Sequence, residues 1–434
     1  MIGMKRLRGY LDGEDPKPAA AMFGLNAVDE LDSATFIWLG PIIAESFDKG
    51  VGAFGVIGIL VLVVAPLVAI PVSLAADRRA RMPIALACAA MWGLFSLASA
   101  LAFTLTLLVI ARVGSSLGRT VSYPVQLSLM ADFYPPRVRA KALGVHAQAN
   151  TVGAIFGALG AGAIAHFFGW RAAFVVLAIP TLLTILAVRK VAEPARGAHE
   201  RRETEEALPF KEVFPRLYGI RSQRYVWFAG VYLVSVLLGA GLILPFYFKD
   251  TYDIGAFGLG VIGAVAGLGA MAATFIGASL AQDRLNEAPR LGVRWIASVF
   301  FVVCGVLAVF GFAPTLWIAV PILFVLYALF GLISPLLATL GTLIAPPELR
   351  SSAYSIGQVI WLLGAIPALV GLGIAEWLGF GWAFAWLALI LLRGTFHILT
   401  VSRYIDADVA RRDPEHVDTG ARTDDDGSVL LLET

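Results

Sequence analysis

Ser73-Leu74-Ala75-Ala76-Asp77-Arg78 returns 206 residues later as Ser279-Leu280-Ala281-Gln282-Asp283-Arg284. Two more echoes follow at nearly the same offset. Pro135-Pro136-Arg137-Val138-Arg139 matches Pro346-Pro347-Glu348-Leu349-Arg350, and Phe168-Gly169-Trp170 matches Phe380-Gly381-Trp382. Three matches in the same order mark an internal repeat about half the chain long. What lies between them is apolar. Of 434 residues, 59% are hydrophobic and only 15% are charged, and the mean hydropathy is +0.80. Soluble domains carry roughly 25% charged residues, so an ordinary soluble enzyme and a disordered chain are both excluded. The two cysteines, Cys88 and Cys304, lie in apolar runs and exclude a disulfide scaffold.

A helix needs about 20 apolar residues to cross the hydrocarbon core. Twelve stretches meet that need: 20–46, 51–75, 83–103, 106–131, 142–167, 170–190, 224–248, 257–281, 291–311, 316–345, 352–378 and 380–402. The polar start, with Lys5, Arg6, Arg8 and Lys17, is not a signal peptide. With the N-terminus cytoplasmic, the outer loops hold only Lys49, Arg171 and Lys249, and Arg112, Arg119 and Arg393 fall within spans. The other basic residues all lie on the inner side, which orients the chain with both termini inside. The expected architecture is all-α: twelve transmembrane helices in two six-helix pseudo-symmetric halves. Residues 1–190 form the first half, 191–223 a cytoplasmic linker, 224–403 the second half and 404–434 a cytoplasmic tail. Repeats of this kind place the substrate site between the halves, near the midplane. Within the linker, Leu208 to Tyr218 mixes aromatic and basic residues and predicts a short helix on the inner membrane surface.

Charges inside spans mark the candidate site, because each costs roughly 2.5–3.5 kcal/mol at a helix centre. Span 1 carries Asp29, Glu30 and Asp32; span 4 carries Arg112 and Arg119. At 1.5 Å per residue, Asp32 and Arg119 each lie about 18–20 Å from opposite faces, near the middle. The expectation is that Arg119 pairs with Asp32, Asp29 or both, and that an acid so paired carries a proton. Glu30 points about 100° away from Asp29 and is placed in the cavity lining. Arg112, Ser115, Ser116, Arg119, Ser122, Tyr123 and Gln126 recur at three- and four-residue spacing, a polar stripe on one face of span 4. Asn26, Gln148, Asn150, Tyr354 and Gln358 complete the expected lining. The second half is nearly uncharged within its spans, which suits an amphipathic substrate against an apolar wall. Gly153/Gly157 and Gly263/Gly267 are two GxxxG pairs expected to let spans 5 and 8 approach.

The stretch from Ser73 to Arg81 resembles the loop signature of the major facilitator superfamily, with Ser73 and Ala80 at two customary glycine positions. The resemblance implies a conformational latch made of Asp77, Arg78 and Arg81, repeated by Asp283 and Arg284. Arg112 sits where drug–proton antiporters of the superfamily carry an arginine. Gly153-Ala154-Ile155-Phe156-Gly157 resembles their glycine motif, with Ala158 where proline is usual. Asp132 to Arg137, Gly169 to Phe174, and Phe214 to Leu217 leading to Tyr225 resemble the spinster-like branch, whose known members move lysolipids or sphingoid lipids. That branch has an arginine after the span 1 aspartate and a glutamate on span 4. Here these positions are Ser33 and Arg119, so the two charges are exchanged.

The resemblance implies a secondary active transporter working by alternating access. Its substrate is amphipathic or lipid-like, moved outward and coupled to protons across the inner membrane, and it acts as a monomer among membrane lipid. Multidrug–proton antiport is the alternative. Another is a non-transporting membrane module of a larger ATP-dependent assembly, since Val429 to Glu433 resembles the first strand of a nucleotide-binding module. Gly258 to Gly263 fits G-x-G-x-x-G, but no strand precedes it. The five histidines have no metal spacing. No enzyme activity, nucleic acid, cofactor or metal is expected.

Overall fold

The computed structural model describes residues 3–61, 64, 80–195, 210–346 and 349–412. Among these every regular element is helical. The helices are α1 Met4–Tyr10, α2 Pro16–Trp38, α3 Gly40–Glu45, α4 Val51–Val61, α5 Arg81–Ala100, α6 Leu105–Phe133 and α7 Pro136–Val188. Then come α8 Phe210–Gly219, α9 Arg221–Tyr252, α10 Ala256–Glu287, α11 Pro289–Phe310 and α12 Leu316–Ile344. The last are α13 Arg350–Trp361, α14 Ala365–Trp377 and α15 Phe380–Arg412. Eight helical stretches among the described residues are long and apolar enough to cross a membrane, so the protein is multi-pass. α2 is long enough as well, at 23 residues, but Asp29, Glu30 and Asp32 interrupt its apolar character.

Local chemistry sets the boundaries. Asp15 caps α2 by accepting from the Lys17 amide at 3.0 Å, with Pro16 at the first helical position. The buried Tyr134 hydroxyl accepts from the Ala19 amide at 3.0 Å and donates to the Asp15 carbonyl at 2.6 Å, tying that cap to the close of α6. Within α7, Gly169 has φ +82°, a left-handed conformation that breaks the 53-residue stretch into two arms. In the matching Phe-Gly-Trp of the other half the left-handed residue is instead Gly379, while Gly381 packs on the Phe312 ring. The repeat preserves the turn's place, not its atoms. α15 continues to Arg412, so the first residues of the expected tail are helical.

Helices α2, α5, α6 and α7 pack on one another, and α9–α12, α14 and α15 form a second group. The N-terminal helix α1 and the close of α15 lie at one end of the bundle, here the terminal end; the opposite end is the far end. The two groups meet through α7 against α10 and α3 against α9. Most of those contacts gather toward the far end. A Cβ on Gly162 would lie 2.8 Å from the Gly260 Cα, and one on Gly263 would meet both Trp38 and Ala158. Lys249 Nζ of α9 reaches Glu45 of α3 at 3.0 Å. Toward the terminal end Tyr123 of α6 and Tyr354 of α13 keep much of their surface exposed, so the space between the groups opens there.

The expected approach of Gly153 and Gly157 to span 8 is corrected. Both glycines face α2 instead: a Cβ on Gly153 would lie 2.3 Å from the Ala27 carbonyl oxygen, and one on Gly157 2.5 Å from that of Leu31. The contact with α10 falls to Ala158 and Gly162, one and five residues on, because each residue turns the helix by about 100°.

Candidate functional site

The charged residues of α2 and α6 form two adjacent ion-pair sites. In the first, Arg112 and Asp32 are bidentate, Nη2 to Oδ2 at 2.8 Å and Nη1 to Oδ1 at 3.3 Å. Ser96 of α5 donates to Asp32 Oδ1 and Ser115 donates to Oδ2 at 3.2 Å. Phe36 and Phe174 cover the guanidinium, the Phe36 centroid 4.7 Å from it. Both side chains are under 10% exposed. In the second site, Arg119 Nε meets Asp29 Oδ2 at 3.0 Å, and its two terminal nitrogens donate to Glu30 and Ser33. Its side chain is 37% exposed.

The expected pair of Arg119 with Asp29 is present, and the alternative with Asp32 is not. Arg119 takes Asp29 and Glu30, and Asp32 goes to Arg112. α2 and α6 run in opposite directions, so the carboxylate one turn further along α2 meets the arginine two turns earlier on α6. Ser96 and Ser33 carried no strong signal. A single hydroxyl in an apolar span is recognisable as a ligand only once helix register is known.

A neutral polar cluster adjoins Arg119 toward the terminal end. Asn26 Nδ2 donates to Asn150 Oδ1 at 2.5 Å and to the His146 carbonyl at 3.2 Å. Gln126 donates to Ser122 at 2.8 Å, and its Oε1 meets His146 Nε2 at 2.8 Å. The His146 ring lies 5.5 Å from that of Tyr123. Asn26 and Gln126 are therefore buried in helix contacts rather than lining open space. Gln148 is corrected too. It lies two residues from both His146 and Asn150, about 200° around α7, so it points away from the cluster.

Across the opening, Tyr354 is 61% exposed and lies in electrostatic range of Tyr123, which is itself in range of Glu30, Arg119 and Asn150. Gln358, one turn on, is exposed on the same helix. Trp361 stands edge-on to Tyr354 at 6.0 Å and donates to the Trp227 carbonyl at 3.1 Å. Aromatic rings thus gather on α13 at this point.

Of the expected latch, Asp77 and Arg78 lie outside the described residues, and so do the side chains of Asp283 and Arg284. Arg81 pairs with Asp132 at 2.5 Å and donates to Ser128 at 2.9 Å. Glu193, which the sequence did not single out for this role, caps α5 by accepting from the Arg81 and Met82 amides at 2.8 and 3.1 Å. The tail run at 429–434 also lies outside the described residues. Among the described residues no group of side chains is placed to hold a metal ion.

Fold and site together define a multi-pass helical membrane protein with ion pairs set between two of its helices. The chain belongs to the Major Facilitator Superfamily, whose family model matches residues 22–369. It is 27% identical over 192 residues to an MFS-type efflux pump of Mycolicibacterium smegmatis, a match spanning 42% of this chain and 45% of that protein. A bacterial homologue of the human lysosomal transporter Spinster, solved inward-facing and unoccupied, has a TM-score of 0.70 at 19% identity, covering 94% of this chain and 98% of that one. A D-xylose–proton symporter has a TM-score of 0.72 at 14% identity, covering 90% and 98%. At such identities these structures establish the shared fold alone.

Proposed function

We propose that the protein is a proton-coupled secondary transporter that exports an amphipathic organic or lipid-like molecule. Twelve spans form two six-helix halves, residues 1–190 and 224–403, which rock about the site between them. The linker 191–223, the tail 404–434 and both termini are cytoplasmic, in the inner membrane, and one chain is the working unit. The terminal end is then the inner end, and the conformation described is open inward.

One observation carries this reading: Arg119, with 37% of its side chain exposed, holds the more buried Asp29 and Glu30 where the two groups part. Ionised side chains inside a membrane protein mark ion and substrate paths. Asp29 and Glu30 are assigned the coupling role and Asp32 the task of holding Arg112. Asp77, Arg78, Arg81, Asp283 and Arg284 are assigned to the inner latch. Multidrug–proton antiport is the second reading, favoured by the relative named an efflux pump.

Sealed proteoliposomes with an imposed pH gradient test the proposal, with a labelled lysophospholipid beside a cationic dye. Gradient-dependent movement of either is expected. Binding of both with no net flux of either would overturn transport as the function.

A further inference from the structure

Arg393 lies within the last span but has no place in the site between α2 and α6. α15 packs on α9, α11, α12 and α14, all of its own group. Its other side carries Trp382, Leu389 and Phe396, each more than half exposed. These recur at helical spacing, an apolar stripe turned to the membrane. Arg393 falls on that stripe, four residues after Leu389 and three before Phe396, and is itself exposed. Among the described residues its guanidinium has no hydrogen bond and no ion pair. Charges within spans are expensive and ordinarily turn inward to a partner; this one turns outward. The packing of α15 on α9 gives its depth. A Cβ on Gly394 would lie 3.0 Å from the Tyr232 Cβ, and Tyr232 is eight residues past Arg224. Arg393 is thus about 12 Å below the basic rim at the terminal end, where Arg221 stands over the Tyr404 ring. About halfway down sits His397, ringed by Tyr225, Phe228 and Tyr232 with centroids 5.9, 6.1 and 5.3 Å away. Its Nδ1 donates to the Arg393 carbonyl at 2.8 Å, which places the imidazole on the same strip. The half-buried Tyr225 and Tyr232 have no hydrogen-bond partner for their hydroxyls among the described residues.

We infer that the membrane-facing groove between α9 and α15 binds an anionic phospholipid of the terminal-end leaflet, its phosphate on Arg393 and its acyl chains along the stripe through Leu389. The charge argument selects the headgroup. A lone guanidinium beside hydrocarbon is stabilised by a ligand that brings one negative charge, and a planar fork suits phosphate oxygens. A choline headgroup carries its own cation next to the phosphate and leaves the arginine's charge unbalanced. The depth is one a lipid reaches. The leaflet thins locally beside a buried charge, and the long arginine stem reaches toward the descending headgroup. The tyrosine hydroxyls supply further donors on the way down, and their rings flank the lipid at the level where aromatic side chains anchor at interfaces. A second copy of the chain is a poorer occupant. Among the described residues Asp29, Glu30 and Asp32 are already held by Arg112 and Arg119, and Glu376 lies near the far end of α14. The site is independent of what the protein carries through its centre.

The test uses the purified full chain, stripped of lipid in detergent, read by native mass spectrometry and by thermal melting. The probes are dioleoylphosphatidylglycerol, dioleoylphosphatidylcholine and inorganic phosphate. Phosphatidylglycerol should be retained at about one per chain, bind about five- to tenfold tighter than phosphatidylcholine and raise the melting temperature. Arg393→Leu should fold, since it removes a charge from an apolar face, and should bring phosphatidylglycerol binding down to the level of phosphatidylcholine. Arg393→Gln serves the same purpose if the leucine variant does not fold. Arg119→Gln should leave this binding unchanged. Equal binding of the two lipids, or phosphatidylglycerol binding that survives loss of Arg393, would overturn the inference. So would an equal loss in the Arg119 variant, which would move the lipid to the gap between the groups. A melting shift from inorganic phosphate as large as that from phosphatidylglycerol would assign the groove to a free anion instead. A dimer that Arg393→Leu dissolves, with no lipid retained, would give it to a second copy.

Discussion

Arg112 and Arg119 stand seven residues apart on one face of α6, yet they inhabit different chemistry. Arg112 is roofed by Phe36 and Phe174, and its one carboxylate, Asp32, is saturated by Ser96 and Ser115. Arg119 serves two carboxylates at once and keeps 37% of its side chain in solvent. The first pair is closed: every strong acceptor has a donor, and nothing remains to exchange. The second is over-supplied with negative charge and open to the gap. One residue type on one helix thus does two jobs, and the surroundings, rather than the guanidinium, assign them.

Removing each arginine separates the two jobs. Arg112→Ala leaves Asp32 ionised and buried without its partner, a loss that typically costs about 3–5 kcal/mol. A large fall in thermal stability in detergent is expected; an unchanged melting temperature would merge the two sites into one class. Gly157→Ala comes next, because its Cβ would lie 2.5 Å from the Leu31 carbonyl oxygen and force α2 and α7 apart. Such overpacking costs about 1–3 kcal/mol, read in the same melt. Gly162→Ala tests the contact between the groups instead. It should favour the far-end-open state, seen as greater labelling of a cysteine placed beside Lys249, with a smaller change in stability.

Arg119→Gln is expected to act on transport rather than on folding. Arg119 itself keeps 37% of its side chain exposed, although Asp29 is buried, so stability should fall less than in the Arg112 variant, while gradient-driven flux falls about tenfold or more. Equal loss of stability in the Arg112 and Arg119 variants would erase the distinction. Lys249→Ala is the mildest change. Its bond to Glu45 is partly solvated, and exposed pairs contribute about 0.2–1 kcal/mol. A small rise in far-end opening, suppressed by salt, is the expected signature.

Much of the site was legible in the chain. Asp29, Glu30, Asp32, Arg112 and Arg119 are conspicuous because charges in apolar spans are expensive, and complementary signs on spans 1 and 4 pointed to pairing. The pairing of Arg119 with Asp29 was legible too, whereas those of Asp32 with Arg112 and of Glu30 with Arg119 were not. Antiparallel helices can shift along one another without altering either sequence pattern, and such a shift is enough to hand Asp32 from Arg119 to Arg112, two turns away. The glycines and Gln148 illustrate the same limit in rotation. Gly153 and Gly157 announce a close approach, but the identity of the approaching helix depends on azimuth, which was resolved only when α7 settled against α2 and α10. Glu193 lay unnoticed in a polar linker because capping α5 is a long-range contact with no local signature.

The sequence by itself determined the solvent and the repeat. Composition demands a membrane, since so few charges cannot cover a soluble surface, and the three echoed motifs describe a duplicated chain. It also determined that charge of both signs would meet inside the bundle. Only the tertiary structure decided that one arginine is sealed and the other partly exposed. It also decided that the two groups touch through α7 against α10 and α3 against α9. The physical reason is that composition and periodicity are properties of single helices, whereas register, azimuth and solvent access are properties of pairs of helices and arise only when they pack.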